Sequence, residues 1–374
     1  MTWNFRFWIL DFGFLAVALG LGLASRESPG AESSPLAPYL SGEEVLAEVR
    51  AIAESHPARV RLEEIGKSVQ GRPILALHFH LGQVNCPETD RNVCPPQALI
   101  TAGIHAQEFI GTEVALAAAR LLAQGEADKL LAGSDVWVVP LLNVDGHCQV
   151  YDDQGKGNKI TKGRKNLDGV DLNRNFPEAA GAKSRHPLAG NRRPGSSYYM
   201  GPKALSEPET RAIADLVAAH PFYAAIALHS VAGKYLYPFC YTRRPAPEAE
   251  WFQMIGQALI EHQPHHAYQV QQSYTWYPTL GDLDDFLYIQ YGILSATVEA
   301  GTLRQNLPHF LRTFQFFWIS NPQDVSYWTG NDAGAILAGL DRALELTAGR
   351  PVPPGAKPGR PESPVIIYPR TPVP

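Results

Sequence analysis

Three near-continuous apolar runs constrain this chain most, because each ends in a side chain that can hold or assist a metal ion. ALITAGI (98–104) runs into His105 and Glu108, AAIALHS (224–230) contains His229, and GILSATVEAG (292–301) contains Glu299. Strands that are apolar at nearly every position, and not at every second one, are covered on both faces, as in a parallel sheet flanked by helices. DVWVVPLLN (135–143) adds a further β-rich run, closed by the turn residues NVDG. Helical patterns alternate with these runs. Val114 to Leu122 is rich in Ala and Leu, and SEPETRAIADLVAAH (206–220) opens on a cap signature, Ser206 with Glu209 three residues on. The alternation predicts an α/β fold with a mixed, largely parallel central sheet and helices on both faces.

In such sheets ligands bind beyond the carboxyl ends of the strands, where successive loops converge. The stretch GIHAQEFIGTEVALAAARLLA (103–123) places His105 and Glu108 at a strand-to-helix junction, where a first and a fourth residue can round a turn onto one ion. Alone the pair says little, since the helix dipole favours a Glu at a helix start in any protein. The other strand ends change its weight. His105, Glu108 and His229 together make a His2Glu set with a coordination position left open, the catalytic and not the structural pattern for zinc. Glu299 remains as a carboxylate beside the metal, suited to act as general base on water. One Zn2+ is the cofactor this predicts.

The 374 residues are 45% hydrophobic and 18% charged, enough for a large core, and a formal charge of −5 gives no electrostatic ground for a nucleic-acid partner. FGFLAVALGLGLA (12–24), followed by SRESPG, reads as a secretory signal over 1–24, which points to a secreted or periplasmic protein. The run is short for a bilayer span, so no membrane span is expected in the mature chain. An uncleaved anchor stays open, because only Arg6 supplies positive charge before the run and Asp11 interrupts it. Residues 25–37 read as a linker and 38–348 as one catalytic domain. The tail 349–374, with nine prolines from 351 on, reads as extended.

Cys86 and Cys94 could close the loop NCPETDRNVC; four reduced thiols, with Cys148 and Cys240, is the equal alternative. Residues 41–54 give a helix with Ser41 as its cap, Ile74 to His80 a strand, and Ala333 to Ala348 a last helix. His78 and His80 alternate with Leu77 and Phe79 and read as a polar strand face rather than a metal site. Residues 151–200, rich in Gly, Asn, Lys and Arg, form the kind of long irregular stretch that usually carries function.

Taken in order, HAQE (105–108), GRKN (163–166), GVDLNRNFP (169–177), LHS with YLYPF (228–239), Tyr277 and VEAG (298–301) resemble the zinc carboxypeptidases of the M14 family, over roughly residues 38–320. GKSVQGRPILALHF resembles that family's first hairpin. The resemblance implies a carboxypeptidase-like (phosphorylase/hydrolase-like) fold and removal of C-terminal residues from peptides. It assigns Arg164 to the developing oxyanion, Asn173 and Arg174 to the substrate's terminal carboxylate, and Asp171 to orienting the first histidine ligand. Tyr277, twenty-two residues before Glu299 as the family's spacing requires, matches the mobile tyrosine that closes over the substrate. Counting back from Glu299 puts Asp284 where members that remove Lys or Arg carry an acid, which implies that preference here. A slip of register in GDLDDF would hand the role to Asp282 or Asp285.

The chain also departs from the family. Gln107 stands where digestive members carry an arginine between the ligands, NCPETDRNVC has no counterpart, and neither an activation domain before Tyr39 nor a transthyretin-like domain after residue 320 is expected. The expected protein is a monomer acting on peptide or protein C-termini. Two other readings stay open. One is a bacterial cell-wall peptidase of the same family cutting at diaminopimelate, whose amine and carboxylate Asp284 and Arg174 could meet. The other is a non-catalytic zinc-binding homologue, against which the joint presence of Glu299 and Arg164 speaks.

Overall fold

The apolar runs fold as the centre of one eight-stranded sheet. The computed structural model describes residues 36–82, 94–156 and 163–351. Its strands are β1 (Val60–Lys67), β2 (Pro73–Phe79), β3 (Gln97–Thr101), β4 (Asp135–Val139), β5 (Phe222–His229), β6 (Lys234–Tyr237), β7 (Gln269–Gln272) and β8 (Leu294–Glu299), in the order β1-β2-β4-β3-β5-β8-β6-β7. The block β4-β3-β5-β8 is parallel throughout, and β1, β2 and β6 join it through antiparallel pairings. Every residue of β3, β4, β5 and β8 is buried, so both faces of this block are covered, which is why these runs lack polar alternation.

Helices of nine or more residues among the described residues are α1 (Gly42–Ser55), α2 (Phe109–Gln124), α3 (Val144–Asp152), α4 (Pro208–Ala219), α5 (Ala249–Glu261), α6 (Leu283–Tyr291), α7 (Leu303–Thr313) and α8 (Val325–Thr347). Ser41 caps α1 in a reciprocal box with Glu44. The longest of these, α8, packs on α2, α5 and β5. It begins eight residues before the predicted Ala333, because Asp324 caps it by accepting from Tyr327 N.

Four expectations are corrected. Ser206 does not cap α4: Pro208 opens that helix, and the Ser206 hydroxyl accepts from the buried Asn175 amide instead. Glu209 turns inward to accept from Val69 N and Asn166. His78 and His80, read as a polar strand face, are both buried; the His78 ring stacks on Trp137 and bonds Asp135 (2.9 Å). Leu36, inside the segment read as linker, is fully buried in the core. Cys94 is disulfide-bonded while Cys148 and Cys240 are free, which removes the reading of four reduced thiols. Cys86 with most of NCPETDRNVC, the signal-like residues 1–24 and the tail beyond residue 351 lie outside the described residues. Among those described, no helix is long and apolar enough to cross a membrane.

Candidate active site

After β3 the chain must turn abruptly into α2. Gly103 (φ 63°) allows it, since a side chain there would be strained and its Cβ would sit 2.7 Å from Leu141 Cδ1. The turn presents His105, and Glu108 follows in the position that would cap α2, yet makes no cap bond. Its carboxylate faces two imidazoles instead: Oε1 is 2.8 Å from His105 Nδ1, and Oε2 is 2.9 Å from Nδ1 of His229, the last residue of β5. The two Nδ1 atoms are 3.1 Å apart, and ligand atoms of all three residues fall within 4.8 Å of one another. Two imidazole nitrogens and a carboxylate converging on one buried point are the donors a zinc ion takes, so the residues fit the group.

The surrounding charges are arranged in layers. His105 Nε2 lies 3.3 Å from Asp171 Oδ1, without the alignment of a full hydrogen bond, and Asp171 Oδ2 accepts from Arg164 Nε (2.6 Å). Burial works against ionisation of Asp171, but Arg164 and then Arg174 outweigh it and hold its carboxyl well below the usual range. Glu108 behaves alike: burial raises it, and His105 followed by His229 brings it well down. Glu299, the last residue of β8, is the opposite case. Burial first and Glu108 second push its carboxyl well above the ordinary value, and its Oε2 has no partner. Glu299 is the register partner of His229 across β5 and β8, so the two side chains leave the sheet on the same side.

Arg174 is 1% exposed and makes no ion pair among the described residues; its guanidinium donates to Asn173 O (2.6 Å) and Leu188 O (3.1 Å). The Asn173 amide accepts from Leu283 N (2.9 Å) and lies 3.4 Å from His229 Nε2, at the outer limit of a hydrogen bond. Gly281 (φ 65°) lets the start of α6 close on this segment, since a Cβ there would meet Arg174 O at 2.6 Å. Tyr277 is half-buried; burial raises its hydroxyl pKa, while Arg174 and Arg164 pull it down. The three acids of α6 and its cap separate clearly. Asp282 caps the helix and Asp285 accepts from Cys240 N and Tyr241 N, whereas Asp284 Oδ1 has no partner. Asp284 is 4% exposed; its Oδ2 accepts from Thr297 Oγ1 (2.7 Å), and burial, then Asp282, raises its carboxyl to about 8. Cys240, Asp282 and Asp285 also bring ligand-type atoms together, but those carboxylates are already spent on backbone N–H groups.

Sequence reasoning missed three contributors. Thr297, two residues before Glu299 on the same face of β8, could have been found from strand alternation. Tyr198, whose ring faces both Arg164 (5.2 Å) and Arg174 (5.9 Å), and Asn321, which bonds the ligand turn, left no local pattern to find.

Two histidines and a glutamate in mutual reach at the carboxyl edge of a parallel sheet, with a second carboxylate alongside, make a centre of zinc-hydrolase type. Residues 45–321 match the zinc carboxypeptidase family, and the chain belongs to it. Mouse Carboxypeptidase Z is 26% identical over 275 residues, covering 64% of this chain and 40% of that one. Mouse Carboxypeptidase A1 is 28% identical over 236 residues, covering 60% and 52%. The chain thus spans about half or less of the length of these two relatives. The crystal structure of carboxypeptidase A from Helicoverpa armigera superposes with a TM-score of 0.66 at 22% identity, over 91% of this chain and 80% of that one, a likeness of fold.

Proposed function

We propose that this protein is a zinc-dependent exopeptidase that removes C-terminal residues from peptides, with a preference for Lys and Arg. The observation that carries the reading is the convergence of His105, Glu108 and His229 beside the register-paired, unpartnered Glu299. His105, Glu108 and His229 would hold one zinc ion, which would supply a Lewis acid for the scissile carbonyl and for water. Glu299 would take a proton from water and return it to the leaving amine, a role that suits a buried carboxylate with an unpartnered oxygen opposite His229. Arg164, held by Asp171, would stabilise the oxyanion, and Asp171 orients the imidazole of His105 through its Nε2 side.

Arg174, a buried guanidinium that makes no direct ion pair among the described residues, receives the substrate's terminal carboxylate together with Asn173, and Tyr277 closes over it. Asp284 receives the basic side chain. Among Asp282, Asp284 and Asp285 it alone keeps a buried oxygen unspent, and a cation there would bring the partner that a buried carboxylate lacks. The disulfide at Cys94 supports an exported protein, since such bonds persist in oxidising compartments.

Hydrolysis of peptides varied at the last residue, with and without chelator, tests the reading. Release of C-terminal Arg and Lys should be chelator-sensitive and at least ~10-fold faster than release of Phe. Asp284→Ala should erase that preference; if the preference persists, the assignment of the pocket is wrong. Absence of chelator-sensitive release from any peptide would overturn the exopeptidase reading itself.

A further inference from the structure

We infer that Asn321, far from the ligands in sequence, is a positioning residue that sets the shape of the metal-binding turn. The inference rests on the proposed assignment of His105 and Glu108 as ligands. The first N–H groups of any helix lack partners within it, and the residue before the helix normally supplies one from its side chain. Glu108 occupies that place at α2 but turns its carboxylate to the imidazoles. Asn321 supplies what Glu108 withholds. Its Oδ1 accepts from Ile110 N (3.1 Å), while its Nδ2 donates to Gln107 O (2.7 Å) and to Phe317 O (3.0 Å).

The two bonds to the turn flank Glu108 on either side, so one side-chain amide fixes the backbone before and after a ligand. Asn321 is itself 1% exposed and held firmly. The carbonyl of the next residue, Pro322, accepts from Tyr39 OH (2.6 Å), and the Tyr39 ring packs edge-on against Phe109 and Phe317. A side-chain amide offers donor and acceptor together at this length without having to take up a proton. An ionised Asp would keep the acceptor for Ile110 N but set an oxygen against Gln107 O, and Leu would leave both backbone groups without their side-chain partner.

The zinc dissociation constant, measured by competition with a chromogenic chelator, and the visible spectrum of the cobalt-substituted protein test this in Asn321→Asp and Asn321→Leu. Loss of an outer partner of a metal site lowers affinity roughly 10–100-fold, and a weakening of about tenfold with altered cobalt bands is expected in both variants. Wild-type affinity and spectrum in either folded variant overturn the inference. So does failure of both variants to fold, since Asn321 would then serve the whole structure. His105→Ala is the reference: if it still binds zinc with wild-type affinity, the ligand assignment fails and the inference with it. If His105→Ala loses zinc while the Asn321 variants do not, only the inference fails.

Discussion

The two ends of the central sheet each bury histidines against a carboxylate, and they differ in what is left over. At the amino ends of the parallel strands, His78 bonds Asp135 at 2.9 Å and lies flat on Trp137, whose indole N–H donates to Gln97. At the carboxyl ends, His105 and His229 bond Glu108 at 2.8 and 2.9 Å, closely similar distances. Distance and burial therefore do not distinguish a site from a structural pair. Convergence does. At the carboxyl end two imidazoles share one carboxylate, their Nδ1 atoms face each other, and Glu299 Oε2 and Asp284 Oδ1 stay unpartnered nearby. The amino end matches one imidazole to one carboxylate and closes the remaining face with an aromatic ring; what it leaves unpartnered are nitrogens, Gln97 Nε2 and His80 Nε2, and no carboxylate oxygen.

The sharpest way to break this comparison is to remove one histidine from each end. His229→Ala should abolish stoichiometric zinc binding and all hydrolysis. His78→Gln should leave zinc content intact and cost about 1–3 kcal/mol of stability, read by denaturant unfolding, because Asp135 keeps a poorer partner. Equal zinc loss in the two variants would erase the distinction.

Within the carboxyl end, Glu299→Gln separates metal binding from chemistry. Zinc affinity should persist while kcat falls ~10³-fold, within the range for loss of a general base.

The smallest expected effect is that of pH on Asp284. Its folded-state carboxyl is raised to about 8, above the ordinary Asp value, so the folded chain holds this proton more tightly than the unfolded one. The stability it contributes is complete below the unfolded pKa and is lost as pH rises through about 8. Asp284→Asn should flatten that decline in urea titrations from pH 4 to 9. As the carboxylate ionises over the same window, KM for Arg-ended peptides should fall relative to Phe-ended ones in the parent and stay level in Asp284→Asn.

Much of the site was legible because it hangs on strand ends. An apolar run that stops at His229 or Glu299 states both that the strand is central and where its exposed edge lies, so the three convergent elements could be placed before their order was known. Glu108 was ambiguous between a helix cap and a ligand, and only the direction of its carboxylate, toward His105 and His229, sets the cap reading aside. Asp284 could not be told from its neighbours by composition; the distinction lies in which oxygens the backbone already occupies. The bonds from Asn321 to the ligand turn join residues more than two hundred positions apart and depend on how α2 packs, which no local pattern encodes. The capping expectation at Ser206 failed for a similar reason, since Asn175 lies thirty-one positions away.

The pairing of His229 with Glu299 makes the spacing between the proposed ligand and the proposed base a property of the backbone. Hydrogen bonds between β5 and β8 act as a ruler with fixed graduations, and the two residues stand opposite each other on it. A side-chain replacement can remove the base but cannot slide it. Inserting one residue early in β8 would instead bring Val298 opposite His229 and carry Glu299 to the far face, because neighbouring strand positions point opposite ways. Insertions in the loops before and after these strands leave the ruler untouched. This chain can therefore vary around its catalytic edge in length and sequence while the separation that the chemistry needs remains the same.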